Sequence, residues 1–116
     1  MQLHFKLEDD LILAFTEGQI VDVPHVPGAE PFAKMLGDQV YSRKVLLDLS
    51  RTEFMSSSGL GWLISCHKHF REAGGTFIVH SFVPTVWQMI KIMRLEKVLR
   101  WAPDLEAARQ MLEAHA

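Results

Sequence analysis

Apolar and polar residues alternate at the start of the chain. Between residues 3 and 8 every second position is apolar, which is the spacing of a half-buried strand. Asp9 and Asp10 follow as a turn, and the apolar segment 11–15 predicts a second strand. Residues 3–15 are therefore expected to form a β-hairpin.

Two later apolar runs have the character of buried central strands. They are VLLDL at 45–49, interrupted only by Asp48, and TFIVH at 76–80. Strands that are covered on both faces have such compositions and lie inside a sheet flanked by helices. A short VLRW segment at 98–101 is expected to form a last strand.

Helical spacing separates the predicted strands. A proline- and glycine-rich loop at 22–31 leads into a short predicted helix over about 30–40, with Pro31 in its first turn. A second helix is predicted to follow the serines at 56–58 and to end at Gly74-Gly75. Its expected apolar face consists of Leu60, Leu63, Ile64, His67 and Phe70.

Prolines begin the two remaining predicted helices. Pro84 begins a helix over 84–94 that is apolar around nearly its whole circumference, and Pro103-Asp104 begins a final helix. Strands that alternate with helices after an initial hairpin predict an α/β fold, with a mixed sheet whose inner strands are parallel. We expect one domain over residues 1–116.

Composition narrows the class of protein. The chain of 116 residues is 48% hydrophobic, and its net charge of −2 gives no electrostatic signature of nucleic-acid binding. One cysteine, Cys66, excludes an internal disulfide and favours a reducing compartment. The N-terminus lacks the apolar core of a signal peptide, and no apolar run reaches the roughly 20 residues of a membrane span. A cytoplasmic location is expected.

The stretch FMSSSGLGW at 54–62 carries the most specific signal. It is a poor nucleophile elbow, because Met55 stands where the first glycine would be required. It also lacks the lysine of a phosphate-binding loop. One serine is expected to cap the following helix. A serine at this strand-to-helix junction would also accept a phosphate without unfolding the domain.

The longer segment VLLDLSRTEFMSSSGLGWLI resembles the signature of STAS domains, the anti-sigma factor antagonist family. The resemblance continues in TEGQIVD, EAGGTFIVH, VPTVWQMIKIMRLEKVL and PDLEAAR, and so covers most of the chain. It implies a sheet of four to five strands with about four helices packed mainly on one side. It also places the phosphate-accepting serine at Ser57, with Ser58 as its follower.

The resemblance further implies a non-enzymatic bacterial regulator without a cofactor. Its partners would be an anti-sigma factor that is a serine kinase, of the histidine-kinase-like ATPase type, and a PP2C-like phosphatase. One position departs from the family pattern, because Ser56 stands where an aspartate is typical. Ser56 is therefore an alternative acceptor, as is Ser58, and an unphosphorylated interaction module is the alternative function.

A partner-binding surface is expected around the serine run. Helical geometry places Trp62 away from the predicted apolar face, and an exposed tryptophan there would anchor a partner. The alternative is that a loop or a second apolar layer covers the indole. The predicted partner-binding residues are Ser56, Ser58, Gly59, Leu60, Trp62, Ser65 and His69.

The remaining candidates have mainly structural interpretations. His67 and His69 point in different directions on a helix and cannot chelate one metal ion. Cys66 is expected to be half-buried, and Asp48 to hydrogen-bond the serine loop. The apolar 84–94 helix suits a homodimer contact, or a position wedged between the sheet and the last helix. The basic residues Lys91, Arg94, Lys97 and Arg100 are expected to form a solvated face, with contact to an acidic partner or a phosphate as the alternative.

Overall fold

The computed structural model describes residues 1–24 and 29–114, so the centre of the predicted proline-rich loop lies outside the described residues. Within these two ranges, five strands form one sheet in the order β1-β2-β3-β4-β5. Only the β1–β2 hairpin is antiparallel, and the other pairs are parallel. The strands are β1 (Gln2–Glu8), β2 (Leu11–Glu17), β3 (Lys44–Asp48), β4 (Thr76–His80) and β5 (Trp101–Ala102).

The predicted hairpin, mixed sheet and central strands are confirmed, and the last strand is shifted. Val98 and Leu99 precede β5 because they continue the turn that begins with the 3-10 segment Leu95–Lys97. The backbone N–H groups of Val98 and Leu99 both donate to the carbonyl of Leu95. Pairing with β4 begins at the carbonyl of Arg100, which accepts a hydrogen bond from the N–H of Val79.

In the part of the chain that the structure describes, four α-helices connect and cover the strands. The first predicted helix is divided, because Gly37 adopts a φ of 81° and separates α1 from a 3-10 turn at Asp38–Ser42. The helices are α1 (Pro31–Leu36), α2 (Ser57–Glu72), α3 (Pro84–Ile92) and α4 (Leu105–Ala114).

Side chains along each strand point alternately to the two faces of the sheet, and different helices cover each face. Val45 and Leu47 of β3 face the core that α1, α2 and α3 cover, whereas Leu46 faces α4 across the sheet. Three helices therefore lie on one side and one on the other. The prediction that α3 is wedged between the sheet and the last helix is wrong, because α3 and α4 pack on opposite faces. Ile92, at the end of α3, is 78% exposed.

Candidate functional site

The serine run lies where the central strand β3 gives way to α2. The connection after Asp48 is attached along its length to the end of β2 and the residues that follow it. Gly18 N–H donates to the carbonyl of Arg51, Ile20 N–H to that of Phe54, and Ser56 N–H to that of Ile20. The start of α2 is therefore fixed to the sheet by backbone hydrogen bonds.

Ser56 is the N-cap of α2. Its Oγ accepts a hydrogen bond from the N–H of Gly59 at 3.1 Å and donates to the carbonyl of Ile20 at 3.4 Å. The side chain is half-buried. The sequence predicted that one serine caps this helix, and the structure identifies it as Ser56.

Gly59 allows the first turn of α2 to approach the chain after β2. A Cβ atom at this position would overlap the backbone carbonyl of Ile20. The glycine is buried, so it contributes close packing beneath the serine run and not a contact for a partner.

Ser57 is the first residue of α2 and is exposed, while Ser56 and Ser58 are half-buried. A side chain in this position lies at the positive end of the dipole of a 16-residue helix. A dianionic group on Ser57 would therefore be stabilised by the helix and would project into solvent.

Exposed apolar side chains occur in the chain segments next to Ser57. Val21 and Phe54 are each 40% exposed, and their chain segments are hydrogen-bonded neighbours through Ile20. Ile64, two turns along the exposed side of α2, is also exposed. Sequence reasoning did not assign these three residues to the site. The signal was available for Phe54, which is a large apolar residue directly before the serine run.

The prediction that Trp62 is an exposed partner anchor is wrong. Its side chain is fully buried, and its Nε1–H donates to Glu30 Oε2 at 2.8 Å. The buried face of α2 is rotated from the one expected and consists of Gly59, Leu60, Trp62, Leu63, Cys66 and Phe70. Leu60, with 3% exposure, is likewise removed from the partner surface.

The acceptor for Trp62 is a buried carboxylate that sequence reasoning missed. Glu30 is the N-cap of α1, and its Oε1 accepts from the N–H of Ala33 at 2.9 Å and the hydroxyl of Tyr41 at 2.6 Å. The Cys66 thiol is 3.8 Å from Oε2. Burial and the adjacent carboxylate raise the pKa of the Cys66 thiol and that of Tyr41. Cys66 is fully buried, not half-buried as expected.

Three further residues of the predicted site are Asp48, His69 and Ser65. Asp48 Oδ1 accepts a hydrogen bond from the N–H of Ser50 at 2.7 Å. It therefore supports the start of the connection and not the serine run itself. The His69 ring packs at 5.2 Å against the ring of Tyr41, while Ser65 is half-buried on α2.

Within residues 1–24 and 29–114, no cluster of three or more histidine, cysteine, aspartate or glutamate residues is arranged to hold a metal ion. No helix in those ranges has the length and apolar character needed to cross a membrane.

Known proteins are similar to this chain in sequence or in fold. BtrV of Bordetella bronchiseptica, which carries the name of an anti-sigma factor antagonist, is 28% identical over 110 residues, or 93% of this chain and 91% of that protein. A crystal structure of an anti-sigma factor antagonist from Mycobacterium paratuberculosis matches with a TM-score of 0.74 at 23% identity, covering 97% of this chain and 93% of that one. The anti-sigma factor antagonist SpoIIAA, in its unphosphorylated form, matches with a TM-score of 0.69 at 16% identity and covers 97% of both chains.

The solved structures establish that the fold is the STAS-like α/β fold. The sequence profile of the STAS domain matches residues 6–108, which is most of the chain and includes the whole serine run. The protein therefore belongs to the STAS domain family.

Proposed function

We propose that this protein is a non-enzymatic regulator of the anti-sigma factor antagonist type, acting in the bacterial cytoplasm. It binds a cognate anti-sigma factor that is also a serine kinase of the histidine-kinase-like ATPase type. Phosphorylation of Ser57 ends the interaction, and a PP2C-like phosphatase restores it. The observation that carries the proposal is the exposure of Ser57 at the first turn of α2, beside two half-buried serines.

The geometry of Ser56 supports Ser57 as the acceptor. Ser56 uses its hydroxyl both to cap Gly59 and to contact the carbonyl of Ile20, so phosphorylating it would disrupt the helix start. Aspartate and serine are about equally good N-caps. The replacement of the family's aspartate by Ser56 therefore preserves the cap and leaves the neighbouring hydroxyl available to a kinase.

The charge of a phosphate explains how the switch would operate. Phosphoserine carries about −2 charge at neutral pH, and the helix N-terminus stabilises that charge without unfolding. The adjacent apolar side chains of Val21 and Phe54 are suited to burial against a partner. A dianion at the same surface would have to lose its hydration on binding, which opposes the complex.

Incubation with the cognate kinase and ATP, followed by intact-mass analysis, tests the switch. We expect one added phosphate on the wild type and on Ser58→Ala, and none on Ser57→Ala. Peptide mapping should place the phosphate on residue 57. A wild-type protein that gains no phosphate, or a Ser57→Ala variant that gains it equally, contradicts the proposal.

A constitutive interaction module is the second candidate function, favoured by the missing aspartate at position 56. A pull-down with the anti-sigma partner separates the two functions. The switch predicts that Ser57→Asp loses binding, whereas a constitutive module retains it. Ser42→Asp is the matched control, because Ser42 is exposed just before β3, at the opposite edge of the sheet, and its substitution should leave binding unchanged.

A further inference from the structure

A concave site lies at the opposite end of α2 from Ser57. It is a surface cavity of about 280 Å³, located where α2 ends and where β4 and β5 begin. Its lining combines three basic side chains with two phenylalanines and two glycines, namely His67, Arg71, Arg100, Phe70, Phe77, Gly74 and Gly75. The basic side chains come from two separate parts of the chain.

The basic groups of this cavity have no acidic partner among the described residues. His67 and Arg71 are one helical turn apart on α2, and Arg100 directly precedes β5. The ion pairs of the described chain are His4–Glu17 and Glu8–Arg109, and neither involves this cavity. Burial lowers the pKa of His67, and the positive charges of Arg71 and Arg100 lower it further. The field inside the cavity is therefore positive.

The dipole of α2 explains the position of Arg71 but not that of Arg100. The C-terminus of a helix carries roughly −0.5 of an elementary charge, which favours Arg71 in the last turn. Arg100 is not on α2. Together the two guanidinium groups bring two full positive charges, so the cavity remains positive after the helix end is counted.

We propose that this cavity binds a small phosphate monoester. Guanidinium groups present planar forks of N–H donors that match phosphate oxygens, and both Arg71 and Arg100 line this cavity. Gly74 and Gly75 add no side chains to the lining. Gly75 is required at its position, because a Cβ there would overlap the carbonyl oxygens of Tyr41 and Arg43. The buried rings of Phe70 and Phe77 contribute the apolar part of the lining.

This site is independent of the Ser57 switch. The 16 residues of α2 span about 24 Å between the two ends. The cavity would make the protein responsive to a phosphorylated small molecule, whether or not Ser57 is modified. Phosphate monoester groups also occur on phosphatidic acid, so the experiment includes a dissolved and a lipid source.

NMR titration with inorganic phosphate and with glycerol phosphate, at constant ionic strength maintained with chloride, provides the test. We expect saturable shifts of the His67 imidazole and of the Arg71 and Arg100 side chains. Arg100→Gln should weaken binding by about tenfold or more, because a charged hydrogen-bond donor is lost. Arg71→Gln, at an exposed position, should weaken it similarly. Lys97→Gln is the control of equal charge change and should bind like the wild type.

The second part of the experiment tests the lipid source by sedimentation with phosphatidic acid vesicles. Phosphatidylcholine vesicles are the comparison. We expect no specific sedimentation. Binding to the vesicles but not to the dissolved phosphates overturns the small-molecule assignment. Shifts that do not saturate below about 10 mM phosphate, or that are equal in Arg100→Gln and the wild type, overturn the site itself.

Discussion

At the scale of single residues, Glu30 has the largest structural consequences. A buried carboxylate is unfavourable unless hydrogen-bond donors surround it. Glu30 is fully buried and receives the Ala33 N–H, the Tyr41 hydroxyl and the Trp62 indole. It thereby joins the start of α1, the 3-10 turn after α1 and the middle of α2. The orientation of α2, and so of Ser57, depends on this group.

Replacing Glu30 with glutamine should destabilise the protein by about 2–3 kcal/mol. The amide would place an NH₂ donor against groups that are themselves donors, and one of them would be left unsatisfied in the core. Urea denaturation followed by tryptophan fluorescence measures the change. Glu53→Gln removes the same charge from an exposed residue and should alter stability by less than about 0.5 kcal/mol. Equal stability of Glu30→Gln and the wild type would contradict this role.

The same network explains why the position of Trp62 could not be predicted from the sequence. Apolar spacing favoured Ile64 on the buried face and Trp62 on the exposed one. The structure has the reverse, because a buried indole needs a hydrogen-bond acceptor and Glu30 provides it from 32 positions away in the chain. A contact between such distant segments leaves no periodic signal.

At the scale of elements, the N-terminus of α2 combines rigidity with exposure. Ser56 caps the helix, Gly59 allows its close approach to Ile20, and Ser57 remains accessible between them. The serine run is thus a helix start in which one serine caps the helix and the next is exposed to solvent. This division could be anticipated in outline, since serines before an apolar helical pattern predict a cap.

Variants of the cap distinguish the structural role of Ser56 from the phosphorylation proposed for Ser57. Ser56→Ala should cost about 1 kcal/mol, because the N–H of Gly59 loses its acceptor. For a domain of this size the loss corresponds to a decrease in Tm of about 4 °C. Ser56→Asp should melt between Ser56→Ala and the wild type, since aspartate accepts the Gly59 N–H but cannot donate to the carbonyl of Ile20. Thermal unfolding followed by circular dichroism checks both. A Ser56→Asp variant as unstable as Ser56→Ala would contradict the expectation that aspartate retains the cap.

The strands and helices could be predicted from the local spacing of apolar and turn residues. The packing of helices on the sheet could not. The hairpin, the two central strands and the proline-initiated helices follow from alternation, apolar runs and turn residues. The side of the sheet that α3 and α4 occupy depends on the connections and on which strand residues each helix can cover. Sequence periodicity therefore could not show that α3 leaves Ile92 exposed.

At the scale of the whole molecule, the edge of the sheet where the parallel strands end and the edge where they begin carry different polar and charged residues. The edge where β3 and β4 end carries Ser57 together with Asp48 and His80, which are paired in register. The opposite edge carries His67 with Arg71 and Arg100. A histidine lies at or near each edge: His80 is buried and His67 is half-buried. Burial is the main influence that lowers the pKa of both.

Stability should therefore decrease on acidification from pH 7.5 to 5.5. Both histidines have a folded-state pKa below the ordinary value, so below about pH 6.5 the unfolded chain takes up protons that the folded protein does not. His80, 3% exposed, dominates, although Asp48 and Asp104 partly offset the effect of burial. Its contribution is at most about 1.4 kcal/mol per pH unit. His67 adds a smaller, solvent-screened share.

Urea denaturation at half-unit pH steps measures this dependence. The free energy of unfolding of the wild type should fall between pH 7 and 5.5, and His80→Gln should reduce the slope because glutamine does not titrate. His67→Gln should reduce it less, since the half-exposed imidazole of His67 is closer to its unfolded environment. The variants are compared by slope and not by absolute stability, so any packing defect from the substitution cancels. A slope unchanged in His80→Gln would mean that the acid sensitivity arises elsewhere than at this edge of the sheet.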